Sequence, residues 1–466
     1  MNLTIFRPNF RNLVVGVDTK VPLEDGRQVT SINFDNAAST PPFISVLEEI
    51  NNFSPWYSSI HRGTGYKSQL SSDFYDYSRS IIAEFVGADN NEKSVIYVKN
   101  ATEGINKLSC RLLDDYRDGI VLSTFMEHHS NDLPWRTKYK IDYVQVDNKG
   151  RLSLDNLEHK LVKYRGKVKL VTVTGASNVT GYTNPIAKIA ALAHEYGAKI
   201  LVDGAQLVPH APLEIKEILA PEHLDFLVFS AHKMYAPFGT GVLIGPKDTF
   251  AKGVPDYTGG GTIKMVTHDN ISWADGPERD EAGTPNVIGV LALVQAIKTL
   301  KNIGMGNIER YEQNLTEYAL RKLKKIKDLE IYGNCQDSKD RVGIITFNIK
   351  GIDHRTLANI LSLEAGIAVR NGCFCAQPYV QKLLKVSPKD IEKHMTNPLL
   401  PHPGMVRISF GLYNTYSEVD KLAQILADVT DNKKSFLKKY QGSSDQLFNH
   451  GPLQGTRINT ADRVIK

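Results

Sequence analysis

The sequence predicts an α/β protein in which a large domain is built on a mostly parallel sheet and a smaller C-terminal α/β domain follows. Three observations carry this. Between Val95 and Gly245 short apolar runs alternate with longer helix-like stretches, the pattern of βαβ units whose sheet is covered on both faces. A second set of strands and helices begins near Asn307 and includes 343–349 and 406–410. The chain has 466 residues, more than one hydrophobic core usually supports.

The strands of the first unit are expected at 95–98, 120–122, 143–146, 169–173, 199–202, 226–229 and 242–244. A long helix over 287–302 leads out of it. These readings divide the chain into an N-terminal segment (1–30) packed on the smaller domain, a large domain (31–300), a small domain (301–435) and a polar tail (436–466). Lys322, Lys324, Lys325 and Lys327 are the densest basic run and are expected on the solvated face of a helix.

Composition narrows the class. Hydrophobic residues are 41% and charged residues 23%, ordinary for a globular protein. The net charge of +5 is small and scattered, which argues against a nucleic-acid partner. No apolar run approaches the ~20 residues that span a bilayer. Around Arg7 and Arg11 there is no signal-peptide core. Four cysteines, Cys110, Cys335, Cys373 and Cys375, are too few and too unevenly spaced for a disulfide framework. A reducing, cytoplasmic setting without membrane association is expected.

The chemistry is expected where apolar strands end in polar residues. Leu227-Val228-Phe229 runs into Ser230-Ala231-His232-Lys233, and Leu201-Val202 runs into Asp203. Ligands of open parallel sheets bind outside the carboxyl ends of the strands, so Asp203 and Lys233 would face one crevice. Pyridoxal phosphate uses such a pair: an amine holds its aldehyde and a carboxylate keeps its ring nitrogen protonated. Alone, Lys233 also fits a solvated surface lysine, and Asp203 also fits a helix N-cap. A third strand, Val95 to Val98, opens into Asn100-Ala101-Thr102-Glu103-Gly104, a helix start suited to an anion. His128, after the run 120–122, could lie on a flat ring or be an ordinary core histidine.

Taken together, Asp35-Asn36-Ala37-Ala38, Ala101 to Asn106, Glu127 to Asn131, Ser177-Asn178-Val179, Val202 to Gln206 and Ser230 to Lys233 resemble the class V aminotransferase family. The nearest branch is the cysteine desulfurase and selenocysteine lyase group, and the motifs run in the family's order over about 32–430. The resemblance implies the transferase fold type I of pyridoxal 5'-phosphate enzymes. Lys233 would be the Schiff-base lysine, Asp203 the ring-nitrogen partner, and His128 the residue stacked on the ring. Gln206 would bond the phenolic oxygen, with Asn178 close to it or to the substrate carboxylate. Ala101, Thr102, Glu103, Ser230 and His232 would surround the phosphate. Thr284 matches a residue that reaches the phosphate of a partner subunit, which implies a homodimer. His61 and Arg62 fall in a loop resembling the family's active-site entrance, from either subunit. No metal is implied.

The reaction rests on Arg370-Asn371-Gly372-Cys373-Phe374-Cys375-Ala376. A desulfurase needs a thiolate on a loop to take sulfur from its substrate, and Cys375 matches the family position. Cys373 competes for that role, and the pair also fits inert buried thiols or a redox couple. Zinc binding would need further ligands nearby. Arg370 would favour a thiolate, and Arg407 matches the arginine that clamps a substrate carboxylate through a bidentate contact. The expected reaction converts L-cysteine, or a related small amino acid, to L-alanine with a persulfide on the loop cysteine, for delivery to a sulfur-acceptor protein. Selenocysteine lyase, cysteine-sulfinate or C–S lyase, epimerase and a non-catalytic sulfur-transfer scaffold are the alternatives. A polar helix-like insertion around 387–394, followed by Pro398, Pro401 and Pro403, sets this chain apart from simpler desulfurases.

Overall fold

A computed structural model describes residues 10–333, 340–397, 400 and 402–440. Arg7, Cys335, Pro398, Pro401 and the tail from 441 lie outside the described residues.

Seven strands form the main sheet: β1 (Lys93–Val98), β2 (Ile120–Thr124), β3 (Lys140–Val144), β4 (Val168–Thr174), β5 (Lys199–Asp203), β6 (Phe226–Ser230) and β7 (Gly241–Pro246). Their spatial order is β1-β7-β6-β5-β4-β2-β3. The pairs β2–β3, β2–β4, β4–β5 and β5–β6 are parallel. Strand β7 runs antiparallel to both β6 and β1. The reversal has a simple cause. Parallel neighbours need a crossover of about a dozen residues or more, and the short loop after Ser230 returns the chain at the same end of the sheet.

The apolar runs became strands because both sheet faces are covered. Phe226, Leu227, Val228 and Phe229 are all fully buried. Burying one such side chain is worth roughly 1.5–3 kcal/mol relative to leaving it in water. Helix α1 (Ala101–Arg111) follows β1, and α2 (Ile186–Glu195) lies between β4 and β5. Helix α3 (Val287–Ile303) buries residues on most of its faces and belongs to the large core. Gly304, at φ +87°, breaks it from α4 (Met305–Leu323).

A second core surrounds an antiparallel sheet of β8 (Leu329–Tyr332), β9 (Ile344–Ile349), β10 (Arg370–Gly372) and β11 (Met405–Ser409), in the order β8-β9-β11-β10. The segment after residue 10 touches both cores: Val14 is buried in the large one, and further contacts reach this unit. Arg11 pairs with Glu418 at 2.7 Å, the Glu24 amide donates to Leu363 O, and Ile32–Asn33 pairs in parallel with Ile367–Ala368.

One expectation needs correction. Only Lys322 of the basic run lies on a helix, where it pairs with Asp420 at 2.6 Å. Lys324, Lys325 and Lys327 follow the end of α4, because Ile326 turns back onto the small core and the chain enters β8. The polar insertion forms the helix Pro388–Thr396, started by the Ser387 side chain on the Asp390 amide. No single helix among the described residues is long and apolar enough to cross a membrane.

Candidate active site

A cavity of about 420 Å³ opens at the carboxyl ends of β4, β5 and β6, and the second unit closes its far side. Ala101, Thr102, His128, Asn178, Asp203, Gln206, Ser230, His232, Lys233, Arg370, Cys375 and Arg407 all line it. Residues more than 300 positions apart therefore share one cavity.

Lys233 follows β6 on a single helical turn, Ala231–Lys233. Burial pushes its amine down to about 8; Asp203 opposes the shift and Arg407 adds to it. At neutral pH a useful fraction is the free amine, as a nucleophilic lysine requires. Asp203 ends β5 and accepts the Ala205 amide at 3.0 Å. Burial raises its carboxyl above the usual range, against the pull of that amide and of Lys233. A cationic group at its free oxygen would reverse that cost.

His128 is held by Ser130, whose amide donates to Nδ1 at 3.1 Å. Burial, then Lys233, pushes the ring down to about 3, so it is a neutral, rigid plane. Beneath it Glu127 is fully buried and receives donors from Thr124, Thr174 and Asn131. Burial lifts its carboxyl to about 8 against those donors. This polar network fixes the loop that carries His128.

The anion end is built on the start of α1. Asn100 caps it by accepting the Glu103 amide, and the Ser230 hydroxyl accepts the Ala101 amide at 2.8 Å. Thr102 Oγ1 and Ser130 Oγ lie 2.6 Å apart on the same wall. His232 is also kept neutral, pushed to about 4 chiefly by burial.

Arg407 comes from β11 and is buried. Its Nη1 donates to Asn178 O at 2.9 Å, its Nη2 to Asp35 Oδ1 at 3.1 Å, and its guanidinium lies 5.0 Å over the Phe374 ring. Its Nε is buried and makes no hydrogen bond among the described residues. Burial lowers its pKa to about 10, so it stays charged at neutral pH. Asp35 also holds Arg370, at 3.3 Å.

The two cysteines are told apart by direction. Cys375 lines the cavity, whereas Cys373 donates its thiol to Pro403 O at 3.0 Å. Burial raises the Cys373 pKa. Phe374 and Cys375 both adopt left-handed backbone, at φ +53° and +54°. Non-glycine residues pay about 1–3 kcal/mol each for such a conformation. The turn is held by Phe374 O accepting Asn178 Nδ2 at 2.7 Å and Cys375 O accepting the His129 amide at 2.6 Å.

Four expected residues stand outside this cavity. The Glu103 side chain turns back to accept the Lys99 amide, because it serves the helix cap. His61 and Arg62 are exposed, with His61 3.6 Å from Asp76, and Thr284 is exposed on the loop ahead of α3. Asn100, Ser130, Thr174, Ala205, Asn371 and Phe374 line the cavity but carry no role in the sequence reading. Ser130 had a signal, a hydroxyl two residues after a strand-end histidine. The others act through backbone or shape and had none.

The fold and this lysine-centred cavity define an enzyme class in which an amine at a strand end meets a carbonyl compound bearing an anionic group. The model of the aminotransferase class-V family matches residues 32–422, and the chain belongs to that family. A cysteine desulfurase of Haloferax volcanii is 35% identical over 421 residues, covering 88% of this chain and 92% of that one. A cysteine desulfurase of Escherichia coli K12 is 33% identical, over 83% of this chain and 90% of its own. Among solved structures, the apo cysteine desulfurase of Thermococcus onnurineus superposes with a TM-score of 0.77 at 31% identity, over 86% of this chain and 95% of that one. The Escherichia coli desulfurase CsdA gives 0.75 at 26% identity, over 91% and 98%.

Proposed function

We propose that the chain is a cysteine desulfurase that binds pyridoxal phosphate and moves the sulfur of L-cysteine onto Cys375. The observation that carries this reading is one cavity holding Lys233, Asp203, Arg407 and Cys375. The cavity fits the cofactor. Its buried carboxylate lacks a cationic partner at one oxygen, its anion end gathers hydroxyls at a helix start, and Gln206 Oε1 is buried without a partner among the described residues. Lys233 would carry the aldehyde carbon, Asp203 the ring nitrogen and His128 the ring face. Ala101, Thr102, Ser130, Ser230 and His232 would hold the phosphate. When bound, pyridoxal phosphate supplies an electron sink beside the substrate's Cα.

The protein's own groups do the rest. Arg407 offers Nε and an Nη edge to the substrate carboxylate, displacing Asp35, which remains with Arg370. Asn178 stands between that carboxylate and the cysteine loop. Lys233, once its amine is free, takes the Cα proton and returns it, since its pKa near 8 suits both directions. The Cys375 thiolate attacks the substrate sulfur from the opposite wall. The C–S bond breaks, its electron pair stays with Cβ, which takes up a proton to complete the methyl group of alanine, and the sulfur leaves as the Cys375 persulfide.

A homodimer belongs to this reading, with His61, Arg62 and Thr284 directed toward the partner's cavity. So do a sulfur-acceptor protein and a reducing, cytoplasmic compartment that keeps Cys375 a thiol. The test is a panel of L-cysteine, L-selenocysteine and L-cysteine sulfinate on the wild type and on Cys375→Ala. The proposal requires cysteine turnover that falls to background in the variant. Selenocysteine or sulfinate turnover that survives in Cys375→Ala, with no cysteine turnover in either protein, would instead make the chain a lyase.

A further inference from the structure

We propose that His194, His223 and Asp225 form a binding site for one divalent transition cation of the zinc type, at the end of the sheet remote from the cavity. His194 lies in the last turn of α2, and His223 and Asp225 lie in the loop that enters β6. The Nε2 of His194 is 2.9 Å from Asp225 Oδ2, and the Nε2 of His223 is 3.7 Å from Oδ1. All three ligand atoms lie within 4.8 Å of one another. Tetrahedral zinc bonds put donors about 3.3 Å apart. The group therefore closes on an ion with side-chain shifts of about 1 Å and a tilt of the two rings.

The surrounding hydrogen bonds leave these atoms set for a cation. Each Nδ1 is spent on a backbone carbonyl, His194 on Pro221 O and His223 on Ala220 O, both at 2.7 Å. An imidazole that donates from Nδ1 turns its Nε2 lone pair outward, and such second contacts orient metal-binding histidines. Here both Nε2 atoms face one carboxylate, which is steadied by the Ile200 amide at 2.9 Å; the hydrogen bond of His194 to Asp225 raises the histidine's pKa and carries the proton that an ion would displace. The rings are stacked at 4.2 Å and 18°, so a proton bridging each of them to Asp225 would place two cations face to face. One divalent ion serves both. Lys93, the nearby ammonium, is directed to the carbonyl oxygens of Leu224 and Asp225. The three side chains are 19%, 12% and 8% exposed, which leaves a path for the ion and room for a water as fourth ligand.

Two histidines and a carboxylate suit zinc, cobalt or nickel rather than magnesium or calcium. The ion would tie α2 to the strand that delivers Lys233. It would therefore act on stability and leave turnover alone.

The test uses the full-length protein with its cofactor and zinc as the probe. Calorimetric titration should give one site, and zinc-edge X-ray absorption should show nitrogen and oxygen scatterers with imidazole outer shells and no sulfur. Zinc should raise the melting temperature. His223→Gln and His194→Gln should each weaken zinc binding at least about 10- to 100-fold and abolish the melting shift, with cysteine turnover unchanged. A sulfur shell would place the ion on the cavity cysteines and overturn the proposal. No binding, or binding unchanged in both variants, would leave a proton-bridged pair only and would also overturn it.

Discussion

Arg407→Lys separates substrate recognition from scaffolding. Lysine keeps the charge but replaces a planar fork with a point donor. In the wild type the Nε edge has no partner among the described residues, while Nη1 and Nη2 hold Asn178 O and Asp35. A substrate carboxylate would gain two charge-assisted hydrogen bonds from Nε and the displaced Nη, and lysine can supply one. Losing one costs about 1.5–3 kcal/mol, or roughly 10- to 150-fold in kcat/KM for L-cysteine. Because the contact exists before and during the reaction, most of the loss should appear in KM. The assay pairs L-cysteine with cysteamine, which has no carboxylate. Persulfide formation from cysteamine should be slow in both proteins and change by less than about 3-fold, the scatter of such comparisons. An equal loss on both substrates would refute the reasoning, because Arg407 would then be holding Asn178, Asp35 and Phe374 in place rather than reading the substrate.

Other outcomes follow from the same geometry. The rate at which Lys233 of the apoprotein captures added pyridoxal phosphate should rise with pH and reach half its maximum near about 8, because burial lowers its pKa and only the free amine reacts. In Asp203→Asn that midpoint should move lower, since the carboxylate holds the proton on Lys233, and cysteine turnover should fall about 100-fold or more, as for loss of one preorganised charge. A stopped-flow pH series on both proteins checks this. Gly241→Ala should cost about 1–3 kcal/mol in denaturant unfolding and loosen cofactor retention. Its added Cβ would lie 2.7 Å from Asn100 Cα and 2.9 Å from Phe229 O, backbone atoms at the anion end.

The sheet was legible because six of its strands are buried on both faces and read as largely apolar runs; the edge strand β3 is only half-buried and begins at Lys140, three residues before the expected run. The reversal of β7 was not legible, since an apolar run carries no direction; the loop after Ser230 sets it. Lys233, Asp203, His128, Thr102 and Arg407 were legible because each is a polar group set against an apolar strand. Glu103 misled: the helix start it occupies suits an anion, but its own carboxylate would repel one and instead accepts the Lys99 amide. Asp35 was read only as part of a motif. Its link between Arg407 and Arg370 depends on two units more than 300 residues apart in sequence meeting across the cavity. The two cysteines were half legible: the sequence favours Cys375 by its family position and leaves Cys373 as a competitor, and only the left-handed turn shows one thiol on the cavity wall and the other at Pro403 O.

The central claim, that Cys375 receives the sulfur, is tested most directly by peptide mapping. Holoprotein is given L-cysteine labelled with heavy sulfur, its thiols are blocked, and the label on Cys110, Cys335, Cys373 and Cys375 is located by fragmentation of their peptides in a mass spectrometer. One labelled sulfur should appear on Cys375, in step with one alanine released per chain. It should persist in Cys373→Ala and vanish in Cys375→Ala. Label on Cys373 in a Cys375→Ala protein that still releases alanine at the wild-type rate would contradict the account.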